Sequence, residues 1–239
     1  MRQVFYAMGM PISVEIRGKV NSCIFLELEK HFVSVERKFS PFNDSTELSK
    51  YNKDNSVKLS KEFAEVKSAC EYYEKYTNGY FSPYFDGVSY NPTGFVKAWS
   101  INKASKLLLK NSNREFFINA GGDILARSES TAWQIGIQHP VQRQSIIGSI
   151  RANNFSVATS GYYEKGLHII NPITKKNDLF LTSVTVIGPE IEKADVLATA
   201  LMAMGSDGPD FINNISDYSA IFIDRDLNVI TSSDLNLKI

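Results

Sequence analysis

Ser183-Val184-Thr185-Val186-Ile187-Gly188, followed after a short connection by Ala194-Asp195-Val196-Leu197-Ala198-Thr199-Ala200-Leu201-Met202-Ala203-Met204-Gly205, decides how this chain reads. The first segment is apolar and β-branched without alternation, the pattern of a buried strand. The second is apolar over too many residues for a strand, and it stops at a glycine suited to a helix C-cap. Upstream of the pair the signal is β: strands are expected at 116–119, 132–138, 145–151, 154–158, 167–170 and 180–187. The helix is expected over 190–204, then a short helix near 207–215 and a terminal hairpin of 219–223 with 229–231.

The first half reads differently. Residues 4–17 predict one strand, because Val4, Tyr6, Met8, Met10, Ile12, Val14 and Ile16 recur at roughly period two. Residues 22–38 predict an amphipathic helix with Ile24, Phe25, Leu28, Phe32 and Val35 on one face, capped by Asn21 or Ser22. A second helix is expected over 61–77, ending at Asn78-Gly79, and a third from Thr93 to Leu109. The stretches 40–45 and 80–93 are rich in turn formers. Helices gathered before strands favour an α+β fold, with mixed or antiparallel sheets flanked by helices, over alternating βαβ units. The chain reads as one domain over 1–239, or as two subdomains with a site between them.

Composition narrows the function. The 26 basic and 26 acidic residues cancel, which argues against a general nucleic-acid binder. Two cysteines, Cys23 and Cys70, make neither a disulfide framework nor a cysteine metal site. The N-terminus lacks the apolar run of a signal peptide, Cys23 follows no such run, and no stretch has the length of a membrane helix. The expectation is a cytoplasmic protein with no membrane anchor in this chain.

Four segments carry candidate chemistry. Asp195 and Thr199 are four residues apart, on one helix face. A carboxylate and a hydroxyl are hard ligands that suit Mg²⁺. The same pattern also arises from a helix-start charge and a packing threonine. In Asn91-Pro92-Thr93-Gly94-Phe95-Val96-Lys97-Ala98-Trp99, Gly94 permits close approach to the backbone and Lys97 offers a point charge to a phosphate. Read alone, the segment is better explained as a Pro-containing turn, a helix start and a snorkelling lysine. Ile118-Asn119-Ala120-Gly121-Gly122-Asp123-Ile124 places two glycines after a strand, and it is neither a Walker loop nor a GxGxxG fingerprint. Ala158-Thr159-Ser160-Gly161 precedes His168-Ile169-Ile170-Asn171-Pro172, whose histidine lies on an apolar stretch.

In this order the four segments resemble the ApbE family, the Mg²⁺-dependent FAD:protein FMN transferases. Met8-Gly9-Met10, Phe39-Ser40-Pro41-Phe42-Asn43-Asp44-Ser45-Thr46-Glu47-Leu48 and Trp133-Gln134-Ile135-Gly136-Ile137-Gln138-His139-Pro140 extend the likeness. It runs from about residue 8 to residue 205.

The resemblance implies an ApbE-like, T-fold-like architecture and transfer of the FMN half of FAD to a threonine or serine hydroxyl, with release of AMP. It implies metal ligation by Asp195, Thr199 and the backbone carbonyl of Gly94. It implies contact with FAD by Met8, Phe42, Tyr80, Phe81, Ser82, Asn91, Lys97, His168 and Glu192, with His168 and Asp195 in catalytic roles. The implied partner is an acceptor flavoprotein with a D-G-x-[ST]-x-[ST]-A-T-like site. Ser82 and Asn91 stand where relatives carry acidic residues, so this chain keeps fewer carboxylates in the region. Two rival functions share these residues: a Mg²⁺-dependent FAD pyrophosphatase giving FMN and AMP, and a non-catalytic FAD-binding protein.

Overall fold

The computed structural model describes residues 1–84, 86–142, 144–162, 170–176 and 180–232. The expected 4–17 strand is two strands, β1 (Arg2–Ala7) and β2 (Met10–Ile16), paired antiparallel with Ala7 opposite Met10. The turn between them is Met8-Gly9, at φ 56° and 71°. Two consecutive residues in the left-handed region make the tight hairpin turn that matches strand twist. Period-two alternation runs through the turn in the sequence, because Met8 is not a residue that announces positive φ. Holding a methionine there costs about 1–2 kcal/mol.

A block of helices separates β2 from its neighbour β3 (Phe116–Ala120). These are α1 (Cys23–Phe39), α2 (Glu47–Lys53), α3 (Lys61–Tyr76) and α4 (Thr93–Lys110). Three match the expected spans within a residue or two. On α1 it is Asn21 rather than Ser22 that caps, its side chain accepting the Cys23 N–H at 3.1 Å. The short α2 was not expected. Leu48 is its only buried residue, so it carries no apolar stripe, and it starts because Thr46 accepts the Ser49 N–H at 3.1 Å.

The strand β4 (Asp123–Arg127) was also not expected. It follows β3 through Gly121-Gly122, at φ 57° and 94°, a second two-residue hairpin turn closed by Ala120 opposite Asp123. A Cβ on Gly121 would sit 2.8 Å from the Met10 sulfur, a flexible side chain that can shift, so it is the positive φ of the turn that calls for glycine. Four of the five β4 residues are buried, which removes the alternation that marks a strand in sequence.

The remaining strands are β5 (Trp133–Gln138), β6 (Ile146–Ala152), β7 (Phe155–Gly161), β8 (Leu181–Gly188), β9 (Ser219–Asp224) and β10 (Val229–Thr231). After β8 come α5 (Ile191–Met204) and α6 (Gly208–Ile212). Gly205 ends α5 at φ 62°, as the C-cap expectation required. The expected 167–170 strand falls mostly outside the described residues.

Eight strands form one sheet in the order β1-β2-β3-β4-β7-β8-β9-β10, with β5-β6 a separate hairpin. Every pairing among the described residues is antiparallel, so the fold is α+β with antiparallel sheets flanked by helices. One sheet face buries Ile12, Val14, Ile118, Leu125 and Val184 together with the apolar faces of α1, α4 and α5. The other face has a smaller core, where Ile124, Phe155 and Val157 meet Trp133 and Ile135 of β5. The helix α5 is buried nearly all round, which explains why its sequence is apolar without a stripe. No helix among the described residues is long and apolar enough to cross a membrane.

Cys70 is buried on α3 and Cys23 is exposed at the start of α1. Burial pushes the Cys70 thiol up to about 12, with a hydrogen bond to Tyr90 opposing it. Iodoacetamide at mildly alkaline pH should therefore alkylate Cys23 alone in the native protein and both thiols after denaturation, as read by intact mass.

Candidate functional site

Strand register gathers the candidate segments at one end of the sheet. The β1–β2 turn at Met8-Gly9 lies at this end, beside the β3–β4 turn at Gly121-Gly122. The last residues of β7, Ser160 and Gly161, pair with Val184 and Ser183 near the start of β8 at the same end. The helix α4 begins here with Gly94 and Lys97 in its first turns, and α5 packs on β7, β8 and α4.

On α5, Asp195 is 4% exposed. One turn on, the Thr199 hydroxyl is 3.2 Å from that of Ser160 on β7. Ser160 and Thr199 thus face each other across the helix–sheet interface. The neighbouring Thr159 hydroxyl pairs with Thr185 at 2.9 Å. Adjacent strand residues point to opposite faces, so that pair belongs to the far side of the sheet. Glu192 is two turns before Thr199, about 10 Å away along the axis. It is directed instead toward Asn102 and Lys106 of α4. Burial pushes its carboxyl up, opposed by the Asn102 hydrogen bond and the Lys106 charge.

Lys97 forms an ion pair of 2.6 Å with Asp123, the first residue of β4. The other Asp123 oxygen accepts the Thr159 N–H at 3.3 Å. Three residues on from Lys97, the Ser100 hydroxyl donates to the Lys97 carbonyl at 2.6 Å and lies 3.7 Å from the Met8 sulfur. Met8 is thereby anchored over α4.

The segment before α4 shows how Ser82 and Asn91 fit. The Asn91 side-chain oxygen accepts the Thr93 N–H at 3.1 Å, so the amide keeps the helix-start cap that an Asp would supply. Ser82 donates to the Glu74 carboxylate and accepts the Tyr84 N–H at 3.1 Å. A carboxylate therefore remains one hydrogen bond from position 82, contributed by α3. Phe81 is buried in the helical core, and a Cβ on Gly94 would rest 3.5 Å from its ring. That is ordinary contact, so packing alone does not demand glycine at 94. Tyr80 is partly buried beside the same core. Phe42 stands apart, 96% exposed on the turn after α1. His168 lies outside the described residues.

The structure thus brings Met8, Lys97 and Thr199 to one end of the sheet together with Asp123, Ser160 and Ser100, while Gly94 stands about one turn before Lys97 and Asp195 one turn before Thr199 on their helices. Sequence reading passed over Asp123 because it looked like the tail of a glycine turn, and over Ser160 because a strand serine has no distinctive spacing. Asp195 offers a buried carboxylate and Thr199 a hydroxyl one turn on, oxygen donors whose chemistry suits a hard divalent cation and not a thiophilic one.

The ApbE family model matches residues 8–89 and 85–222. An FAD:protein FMN transferase of Klebsiella pneumoniae is 29% identical over 163 residues, 64% of this chain and 51% of that protein. One of Vibrio cholerae is 30% identical over 125 residues, 47% of this chain and 37% of that protein. The matched stretches thus span about half or less of these relatives' length. A crystal structure of the ApbE protein from Thermotoga maritima superposes with TM-score 0.85 at 20% identity, covering 98% of this chain and 97% of that one. The flavin transferase ApbE from Vibrio cholerae gives TM-score 0.84 at 20% identity, with the same coverage. A family model that spans nearly the whole described chain, on a fold shared end to end, leads to one assignment: this chain belongs to the ApbE family.

Proposed function

We propose that the protein is a Mg²⁺-dependent FAD:protein FMN transferase, moving FMN from FAD to a threonine or serine hydroxyl of an acceptor flavoprotein with release of AMP. The observation that supports this reading is that the Lys97–Asp123 ion pair and the Ser160–Thr199 hydroxyl pair lie at one end of the sheet, joined through the Thr159 N–H, in a chain whose relatives bear that activity's name.

Asp195, Thr199 and the Gly94 carbonyl are the groups that would hold the metal. Bound there, Mg²⁺ supplies neutralisation of the charge that builds on pyrophosphate oxygens. Lys97 presents its ammonium to a phosphate oxygen as a point charge. Met8, held against Ser100, gives the flavin an apolar, polarisable contact. Tyr80, Phe81, Ser82 and Asn91 complete the proposed FAD surroundings, and contact by Phe42 and Glu192, which stand apart from this cluster, is proposed from the family resemblance alone. His168 accepts the acceptor hydroxyl's proton as the oxygen attacks the FMN phosphorus. The bond from that phosphorus to the AMP oxygen breaks, and AMP leaves with the electron pair.

Chromatographic assay of AMP separates this reading from hydrolysis. AMP should form from FAD and Mg²⁺ in proportion to an acceptor domain carrying a D-G-x-[ST]-x-[ST]-A-T-like site. Equal AMP without acceptor would make the protein a pyrophosphatase. No AMP, with FAD bound, would leave only a flavin-binding protein.

A further inference from the structure

We infer that Asp123 is a positioning residue, which holds the Lys97 ammonium where a phosphate of the bound dinucleotide meets it and acts on FAD only through Lys97. This rests on the transferase reading above.

The ion pair is lopsided. The Asp123 side chain is 1% exposed and that of Lys97 20%, at 2.6 Å. A ligand approaching the pair therefore meets the ammonium, while the carboxylate is sealed beneath it. A lysine stem has several rotatable bonds, and an ammonium without a fixed partner spreads over many positions. The partner here is fixed. Asp123 begins β4 at the close of the Gly121-Gly122 turn, and its second oxygen accepts the Thr159 N–H at 3.3 Å. Thr159 precedes Ser160, whose hydroxyl is 3.2 Å from Thr199. One carboxylate thus ties the cationic arm of the site on α4 to the hydroxyl arm between β7 and α5.

The alternative is an ion pair that serves stability alone. A double-mutant cycle separates the two, with FAD affinity read by flavin fluorescence quenching and stability by thermal unfolding. Asp123→Asn should weaken FAD binding on the order of tenfold, and Lys97→Met by at least as much. The double variant should bind FAD no more weakly than Lys97→Met, because Asp123 then has nothing to act through. Its melting temperature should recover part of what Lys97→Met loses, since no buried charge is left uncompensated. Wild-type affinity in Asp123→Asn, or losses that multiply in the double variant, would overturn the inference while leaving the transferase reading intact. Failure of the wild-type protein to bind FAD would remove that reading, and the role of Asp123 with it.

Discussion

Asp195→Ala should lower flavin transfer by at least about a hundredfold and leave a folded protein. The carboxylate is buried at 4% exposure on a helix that packs on two strands and on α4. Its neighbour one turn on, Thr199, contributes a hydroxyl 3.2 Å from Ser160, so removing Asp195 takes the one anionic member from the proposed metal ligands. Neutral oxygens alone hold Mg²⁺ poorly, because a hard cation draws most of its affinity from anionic ligands. Asp195→Asn should be nearly as inactive, since the loss is one of charge and not of shape. Thermal unfolding of both variants keeps the result interpretable: a protein that melts near the wild-type temperature and transfers no flavin places the defect in the site. Full activity in either variant would remove Asp195 from the chemistry.

The largest structural effect is expected at Trp99. Its ring is buried on α4 and meets Phe39 edge-on at 5.9 Å between centroids, and its indole N–H donates to Glu65 of α3 at 3.1 Å. Trp99 therefore joins α1, α3 and α4 at one point. Truncation to alanine should destabilise the protein by about 3–5 kcal/mol, the range for a large aromatic lost from a core. Because α4 also carries Gly94 and Lys97, FAD binding should weaken in parallel as the helix loosens. Urea denaturation gives the stability change directly. A shift under about 1 kcal/mol would mean that the helical layer repacks freely around the cavity.

Much of this architecture is legible in the sequence where one physical signal dominates. The helices α1, α3 and α4 are readable from apolar spacing and turn residues, and α5 from an apolar run ended by Gly205. Legibility fails where two signals overlap. Alternation continues through Met8-Gly9, so a hairpin looks like one strand. In β4 the alternation is erased because both faces are covered. The site behaves similarly. Asp195 and Thr199 lie on one helix, so their shared face is legible from spacing alone. Lys97 and Asp123 lie on different elements, and only the folded chain puts them 2.6 Å apart. Ser82 and Asn91 read as missing acids, whereas the structure has Glu74 beside one and a helix cap made by the other.

The most direct measurement of the central claim is the intact mass of an acceptor domain after incubation with this protein, FAD and Mg²⁺. The acceptor hydroxyl should gain one FMN, a gain lost on chelating the metal and lost with Asp195→Ala. An acceptor left unmodified by folded protein with FAD and Mg²⁺ bound would contradict it.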